Sequence, residues 1–159
     1  MAESPIYLTK ERLIEIENEL KHLKTVGREE MAQRIAEARS YGDLSENAEY
    51  DAAKEAQGLH ELKISKLENI LARAVIIDLS KLPNDEVHIL SKVTVKNKKN
   101  NKTYVYTLVS EEEAEFQQGK ISITSPVGKA LLGKKINDVV TVKAPAGLIE
   151  YEILNIENI

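Results

Sequence analysis

The sequence predicts an α+β protein, with an N-terminal antiparallel helical hairpin followed by a small antiparallel sheet that carries one short helix. Two observations lead to this prediction. Apolar residues recur at spacings of three and four as far as about residue 74, which indicates amphipathic helices. From Val75 onward, β-branched and aromatic runs of strand length replace that pattern. The change of pattern places a boundary near residues 78–83, so we expect domains at 1–78 and 79–159.

The helical half contains signals for where its helices start and stop. Thr9 is a favourable N-cap for a first helix. The apolar stripe is interrupted at Val26-Gly27, where we expect a bend or a break. It ends at Gly42, which suits the left-handed position that follows a helix. A second helix then extends to about Ala74.

The two helical stripes match if the chain reverses near Asp43-Leu44. Apolar residues then face each other along the whole seam, as an antiparallel coiled coil requires. The predicted pairs are Ile35 with Ala52, Met31 with Ala56, Leu23 with Ile64, and Leu20 with Leu67. Leu59 and Leu71 continue the stripe of the second helix. A helical bundle is the alternative, but the remaining faces are heavily charged and favour an exposed hairpin.

The second half reads as strands separated by turns. Residues 97–102 form a predicted hairpin turn, and Ser125-Pro126 with Gly133 bracket a short helix. Asn137 stands at a turn whose left-handed backbone Asn tolerates. The predicted strands are 75–77, 87–90, 93–95, 104–109, 121–123, 139–142 and 151–154.

The acidic turn at residues 42–46 is the most informative stretch of the chain. Asp43 and Glu46 have capping-box spacing, with Asp43 as N-cap of the second helix and Glu46 at its third position. The same two carboxylates could share a divalent cation on an exposed turn. Residue types alone favour capping as the sole role, although Glu49 and Asp51 add more negative charge than one cap needs.

The remaining polar residues are weaker candidates. Arg34, Arg39 and Lys54 lie near the turn and either pair with neighbouring glutamates or guide an RNA strand. Tyr41 and Tyr50 flank the turn, where packing against the hairpin is commoner than stacking on a base. The three histidines, His22, His60 and His88, lack metal-ligand spacing, so we expect them to be solvated.

Composition narrows the function classes. The formal net charge is −4, and residues 1–78 hold 11 Lys and Arg against 16 Asp and Glu, so any contact with nucleic acid has to be local. The absence of Cys removes disulfides and thiol chemistry. No apolar run approaches the roughly 18 residues of a membrane span, and the N-terminus lacks a signal pattern. We therefore expect a cytoplasmic protein.

Several runs of residues carry a resemblance to a known family. At the turn they are Arg34-Ile35-Ala36-Glu37-Ala38-Arg39, Gly42-Asp43-Leu44-Ser45-Glu46-Asn47-Ala48-Glu49-Tyr50 and Ala52-Ala53-Lys54-Glu55. Further along they are Ala74-Val75-Ile76-Ile77-Asp78, Ile121-Ser122-Ile123-Thr124-Ser125-Pro126, Ala130-Leu131-Leu132-Gly133-Lys134 and Pro145-Ala146-Gly147. Together they resemble the bacterial Gre transcript cleavage factors of the GreA type, over essentially the whole chain.

The resemblance implies a coiled-coil hairpin with an FKBP-like C-terminal domain. It implies a monomer without a cofactor of its own, which binds RNA polymerase in elongation complexes that carry DNA. The hairpin would enter the secondary channel, and the C-terminal domain would dock at the channel entrance. There the factor would stimulate cleavage of the nascent RNA 3′ end after backtracking, rescuing arrested complexes.

The resemblance also implies roles for the residues of the turn. Asp43 and Glu46 match the acids that help to hold Mg²⁺ in the polymerase active site, and Ser45 matches a supporting contact. Such a factor is not an enzyme alone, because the polymerase performs the hydrolysis. Asp51 stands where many relatives carry a basic residue or His, which raises the alternative of a Gre-fold polymerase inhibitor. A non-catalytic coiled-coil adaptor and a prolyl isomerase are two further functions that compete with cleavage stimulation.

Overall fold

Two helical arms run antiparallel in the computed structural model, which describes residues 4–43 and 47–159. The first arm consists of α1 (Lys10–His22), a π-helical turn (Leu23–Gly27) and α2 (Arg28–Arg39). The second arm is α3 (Ala48–Arg73). The first helix begins directly after Thr9, as predicted. The arms belong to one compact unit, Lys10–Ala74 with Ser4, and a second unit contains Pro5–Thr9 and Val75–Ile159.

The helical backbone continues through Val26-Gly27, so of the two predicted outcomes, a bend or a break, the break is wrong. Gly27 keeps helical dihedral angles, with φ −62° and ψ −44°. The interruption of the apolar stripe is instead absorbed by the π turn, which accommodates one extra residue without ending the helix.

The apolar seam near the turn is made of small residues and one tyrosine. Ile35, Ala38 and Ala53 are buried together, and Tyr50 packs against them. Ala53 is fully buried while the predicted Ala52 is exposed, so the pairing of Ile35 with Ala52 is wrong by one residue. The sequence does not specify the geometry of the turn, and an error of one residue there rotates the predicted face by about 100°.

The rest of the second arm follows the predicted stripe in part. Ile64 and Leu67 are buried, as expected of seam positions. Ile70 is buried at the end of the stripe, in place of the predicted Leu71. Leu59 is 62% exposed and does not belong to the seam. None of the described helices is both long and apolar enough to cross a membrane.

Asn47 connects the ends of the two arms. Its side-chain Oδ1 accepts hydrogen bonds from the backbone N–H groups of Glu49 and Tyr50, both at 3.1 Å. Its Nδ2 donates to the carbonyl oxygen of Ala38 at 2.6 Å. One amide therefore satisfies orphan donors at the start of α3 and adds a second hydrogen bond to a carbonyl at the end of α2, which also accepts the N–H of Tyr41.

The predicted N-cap role of Asp43 is wrong, because α3 begins at Ala48 and Asn47 caps it. A carboxylate could accept the two N–H groups but could not donate to Ala38, whereas an amide does both. Glu46, the other half of the predicted capping box, lies outside the described residues. Gly42 has a φ of 110°, which confirms the left-handed residue expected after the first arm.

Six of the seven described strands and one short helix lie where the sequence predicts them. Five strands form one sheet in the order β5-β4-β3-β7-β6, and β1 and β2 form a separate two-stranded sheet. The bounds are β1 (Ile6–Leu8), β2 (Ala74–Ile76), β3 (Ser91–Asn97), β4 (Thr103–Val109), β5 (Lys120–Ser122), α4 (Pro126–Leu131), β6 (Val139–Ala144) and β7 (Gly147–Asn158).

The five-stranded sheet is mixed rather than purely antiparallel. The β3–β4, β3–β7 and β6–β7 pairs are antiparallel, but β4 and β5 are parallel. The chain leaves β4 through two 3-10 turns, Glu111–Glu113 and Phe116–Gln118, which form a crossover and not a hairpin. A run as short as β5 carries no sequence signal for its direction.

Two further strand predictions need correction. Residues 87–90 form no strand, because Leu90 has a φ of 69° and the chain turns where the N–H of His88 donates to Ser91 Oγ at 2.9 Å. His88 is also not simply solvated, since its ring nitrogens lie 2.6 Å and 2.9 Å from the carbonyl oxygens of Ile89 and Pro83. The sequence does not predict the strand β1, because three residues are too few to display an alternating pattern.

The predicted turns and the short helix are confirmed. Ser125 Oγ accepts a hydrogen bond from the N–H of Gly128 at 3.1 Å, and Pro126 is the first residue of α4. Asn137 has a φ of 76°, in agreement with its predicted left-handed backbone. The helix packs against a core built from the inward-facing residues of the sheet, including Val93, Val95, Leu108, Val140, Val142 and Ile153.

Three tyrosines lie together in this core. The Tyr104 and Tyr106 rings stack at a centroid distance of 6.1 Å, and Tyr151 meets Tyr106 edge to face at 6.5 Å. Burial raises the pKa of Tyr106 to about 12, and the neighbouring Tyr151 phenol adds to the increase through its charge and a hydrogen bond.

We expect the phenol of Tyr106 to be the last of the six tyrosines to ionise. Because its folded pKa exceeds the ordinary value of about 10, its contribution to stability is complete below pH 10 and is lost as the pH rises toward 12. Absorbance at 295 nm should show one late-titrating phenol that Tyr106→Phe removes. An identical late phase in that variant would contradict the assignment.

Candidate functional site

The acidic turn lies at the end of the hairpin, and Asp43 is its described carboxylate. Asp43 is exposed and precedes the capping residue Asn47 in the chain. The other predicted site residues of the turn, Glu46 and Ser45, lie outside the described residues. The cap of α3 is provided by a different side chain, that of Asn47.

Two more carboxylates stand in the first turn of α3. Glu49 and Asp51 are both exposed there, at the end of the helix where the macrodipole favours negative charge. They therefore have a structural reason to be acidic, because the helix dipole stabilises negative charge at these positions. Asp51 in particular fits a position that stabilises the helix.

The donor set of the turn suits a hard cation without completing a site for one. Carboxylate oxygens are ligands that Mg²⁺ prefers, but the ion requires near-octahedral coordination by six ligands. Asp43 and Glu46 supply two carboxylates. Within residues 4–43 and 47–159, no group of three or more His, Asp or Glu side chains is arranged to hold a metal ion.

Three cationic side chains near the turn behave differently from one another. The Arg39 guanidinium lies 5.9 Å from the centroid of the Tyr50 ring, a cation–π distance. Lys54 Nζ donates to Gln57 Oε1 at 3.2 Å. Among the described residues, no ion pair joins Arg34, Arg39 or Lys54 to a glutamate. The alternative in which these cations pair with glutamates therefore has no support in the described part of the chain.

The two tyrosines that flank the turn have different environments. Tyr50 packs against the small seam, which agrees with the packing role expected for it. Tyr41 is 67% exposed and does not pack in that way. An exposed ring beside cationic groups is a surface on which a nucleobase can stack.

A cleft of about 230 Å³ lies beside the turn and includes Tyr41. Its apolar floor is formed by Ala38 and Ala52, where the small side chains leave room between the arms. Its polar lining residues are Arg34, Glu37 and Glu49. The cleft is small and open, so it suits part of a flexible ligand better than a whole cofactor.

Sequence reasoning missed Asn47 as the residue that organises the turn. The capping-box spacing of Asp43 and Glu46 directed attention to the wrong N-cap. The missed signal was the residue type itself, because Asn directly before an alanine-rich helical pattern is as good an N-cap as Asp.

Comparisons with known proteins cover both halves of the chain. The family model described as Transcription elongation factor, N-terminal matches residues 6–76. The model described as Transcription elongation factor, GreA/GreB, C-term matches residues 82–158.

Curated relatives agree with these models over nearly full length. Transcription elongation factor GreA of Amoebophilus asiaticus is 55% identical over 94% of this chain and 96% of its own. The GreA proteins of Flavobacterium johnsoniae and Pelobacter propionicus are 51% and 52% identical, with coverage of 94% and 96% of this chain and 95% and 96% of their own. No finding favours the inhibitor alternative.

Among solved structures, GreA factor homolog 1 of Thermus thermophilus is 28% identical, covering 97% of this chain and 99% of its own, with a TM-score of 0.44. A score at that level adds nothing to the family assignment, which rests on the two family models and the curated relatives. The helical hairpin and the mixed sheet with its short helix agree with the predicted α+β class. The chain belongs to the GreA/GreB family of transcription elongation factors.

Proposed function

We propose that this protein stimulates the endonucleolytic cleavage of backtracked RNA by bacterial RNA polymerase. Its hairpin enters the secondary channel and presents Asp43 and Glu46 to the polymerase active site, and residues 79–159 dock at the channel entrance. The factor acts as a cytoplasmic monomer in elongation complexes. The single observation that carries the proposal is that both halves of the chain match models of the GreA/GreB family of elongation factors.

The dimensions of the second arm support delivery of the turn to a distant site. The helix α3 contains 26 residues, which corresponds to roughly 39 Å at 1.5 Å per residue. A hairpin of this length is longer than packing within a small domain requires. A narrow seam of alanines near the turn keeps the two arms close together, which suits insertion into a channel.

Asp43 and Glu46 would contribute ligands to a Mg²⁺ ion that the polymerase also holds. When bound in such a site, Mg²⁺ lowers the pKa of a coordinated water and stabilises negative charge on phosphate oxygens. The protein's own contribution is to bring two carboxylates at the end of the hairpin, with Ser45 as a supporting contact. Because two carboxylates do not complete a Mg²⁺ site, we infer that the free protein is not an enzyme and carries no cofactor.

Arg34, Arg39 and Lys54 would guide the extruded RNA 3′ end toward the turn. None of them is engaged by a glutamate within the described residues, so their charges are available to phosphates. Arg34 lines the cleft beside the exposed ring of Tyr41. A phosphate on the guanidinium and a base on the ring would together hold one nucleotide of a single strand.

The amide variant Asp43→Asn with Glu46→Gln tests the role of the two acids. We expect cleavage of backtracked RNA to fall by about 100-fold or more, because the amides are neutral and bind Mg²⁺ poorly. Binding to the polymerase should be unchanged, as measured by competition with the unmodified protein. The cap of α3 remains intact in this variant, because Asn47 provides it.

The matched control is Glu49→Gln with Asp51→Asn, which removes the same amount of charge from the first turn of α3. We expect this variant to keep cleavage within a few-fold of the unmodified protein. Equal losses in the two variants would mean that net charge matters and that the two acids have no specific role. Undiminished cleavage in the first variant would favour the adaptor alternative.

A further inference from the structure

A contact between the arms, well away from the turn, has a geometry that general packing does not explain. His60 of α3 lies against the π turn of the first arm, and its Nε2 is 2.7 Å from the carbonyl oxygen of Leu23. A carbonyl oxygen can only accept, so Nε2 carries the proton and donates. His60 is therefore half-buried and engaged, and the expectation that it is simply solvated is wrong.

The π turn makes this carbonyl a shared acceptor. The oxygen of Leu23 also accepts a hydrogen bond from the backbone N–H of Arg28, five residues later, which is the bond that defines a π turn. A carbonyl oxygen has two lone pairs and can accept both bonds. The imidazole of one arm thus hydrogen-bonds to a π turn, which occurs once along the described length of the other arm.

Gly27 provides the space for the imidazole. A Cβ atom at this position would clash with Cε1 and Nε2 of His60, so the ring would have to move. Gly27 has ordinary helical dihedral angles, so its backbone does not require glycine. The glycine instead leaves the space that the ring of His60 occupies, although a glycine inside a helix is otherwise unfavourable.

The other contacts along the hairpin specify the register less strictly. Arg28 and Glu61 form an ion pair at 3.0 Å, and Lys63 and Glu19 form one at 3.1 Å, but these side chains are about half exposed. Long exposed side chains can follow a small displacement of the arms, and their pairing contributes little. Near the turn, Asn47 donates to the carbonyl of Ala38 and Ile35 is buried in the seam, so the contact of His60 acts on the part of the hairpin farther from the turn.

We propose that His60 and Gly27 lock the axial register of the two arms and act as positioning residues for the acids of the turn. A slip of one residue moves one arm by about 1.5 Å along the other, and Mg²⁺ ligands must lie near 2.1 Å from the ion. The functional consequence rests on the proposed cleavage function. The register lock itself is a property of the free protein.

The register can be measured without the polymerase. The chain has no Cys, so Gln33→Cys and Glu68→Cys can carry a pair of spin labels at exposed sites offset by roughly 20 Å along the hairpin axis. We expect His60→Leu to broaden the distance distribution or to shift its mean by about 1.5 Å or more. His60→Gln keeps an N–H donor and should stay closer to the unmodified protein, and His22→Leu at an exposed site is the control.

The effect of His60→Leu on cleavage is the second readout. We expect the cleavage rate at saturating factor to fall at least tenfold, while the factor concentration that gives half of the maximal rate changes little. His60→Gln should restore part of the lost rate. Unchanged helical circular dichroism checks that the hairpin is folded. If Gly27→Ala impairs folding, the double variant Gly27→Ala with His60→Ala should recover helicity, because the smaller side chain removes the clash.

The outcomes separate the two proposals. An unaltered distance distribution in His60→Leu would overturn the register lock. An altered distribution with an undiminished cleavage rate would overturn the positioning role. If even the unmodified protein does not stimulate cleavage, the proposed function fails, while the spin-label distances still decide whether His60 sets the register.

Discussion

The hairpin depends on one amide that satisfies the open ends of two helices at once. A helix end leaves backbone donors or acceptors without partners, and a reversal places two such ends side by side. Asn47 accepts from the first turn of α3 and donates to Ala38 at the end of α2, so a single side chain closes both. Because the amide holds the turn from its C-terminal side, residue 43 has no capping duty toward α3.

The charges around the turn follow from this division of labour. Glu49 and Asp51 occupy the first turn of α3, where the helix dipole compensates part of the electrostatic cost of gathering acids. Arg39 rests over Tyr50, which itself packs on the seam, so one cation is held close to the turn by a ring and not by a carboxylate. The arrangement keeps positive and negative side chains near each other without neutralising them as pairs. Such a surface can bind a metal ion and a phosphate at the same time.

The sequence predicted those features that depend on periodicity and on strong local signals. The two arms, the change to strands and the capped helix after Ser125 all have patterns that repeat or motifs with a physical reason at each position. The prediction from sequence failed where one hydrogen bond, or a shift of one residue in register, determines the structure. Ala53 in place of Ala52, and Asn47 in place of Asp43, each differ from the prediction by a geometry that only the folded turn defines. The contact between His60 and Leu23 could not be predicted either, because its partners lie 37 residues apart, and no pattern in the sequence specifies the π turn. The parallel direction of β5 likewise follows from the path of the chain after β4 and from no local pattern.

If the acids of the turn complete a Mg²⁺ site in the polymerase, the factor must change how much metal the cleavage reaction needs. The measurement is the cleavage rate of backtracked complexes as a function of Mg²⁺ concentration, with saturating factor, with the amide variant at positions 43 and 46, and without factor. We expect the unmodified factor to lower the half-saturating Mg²⁺ concentration by about tenfold or more, a change of about 1.4 kcal/mol in metal binding, and the amide variant to abolish this shift. A factor that raises the maximal rate at an unchanged half-saturating Mg²⁺ concentration would contradict a shared metal site.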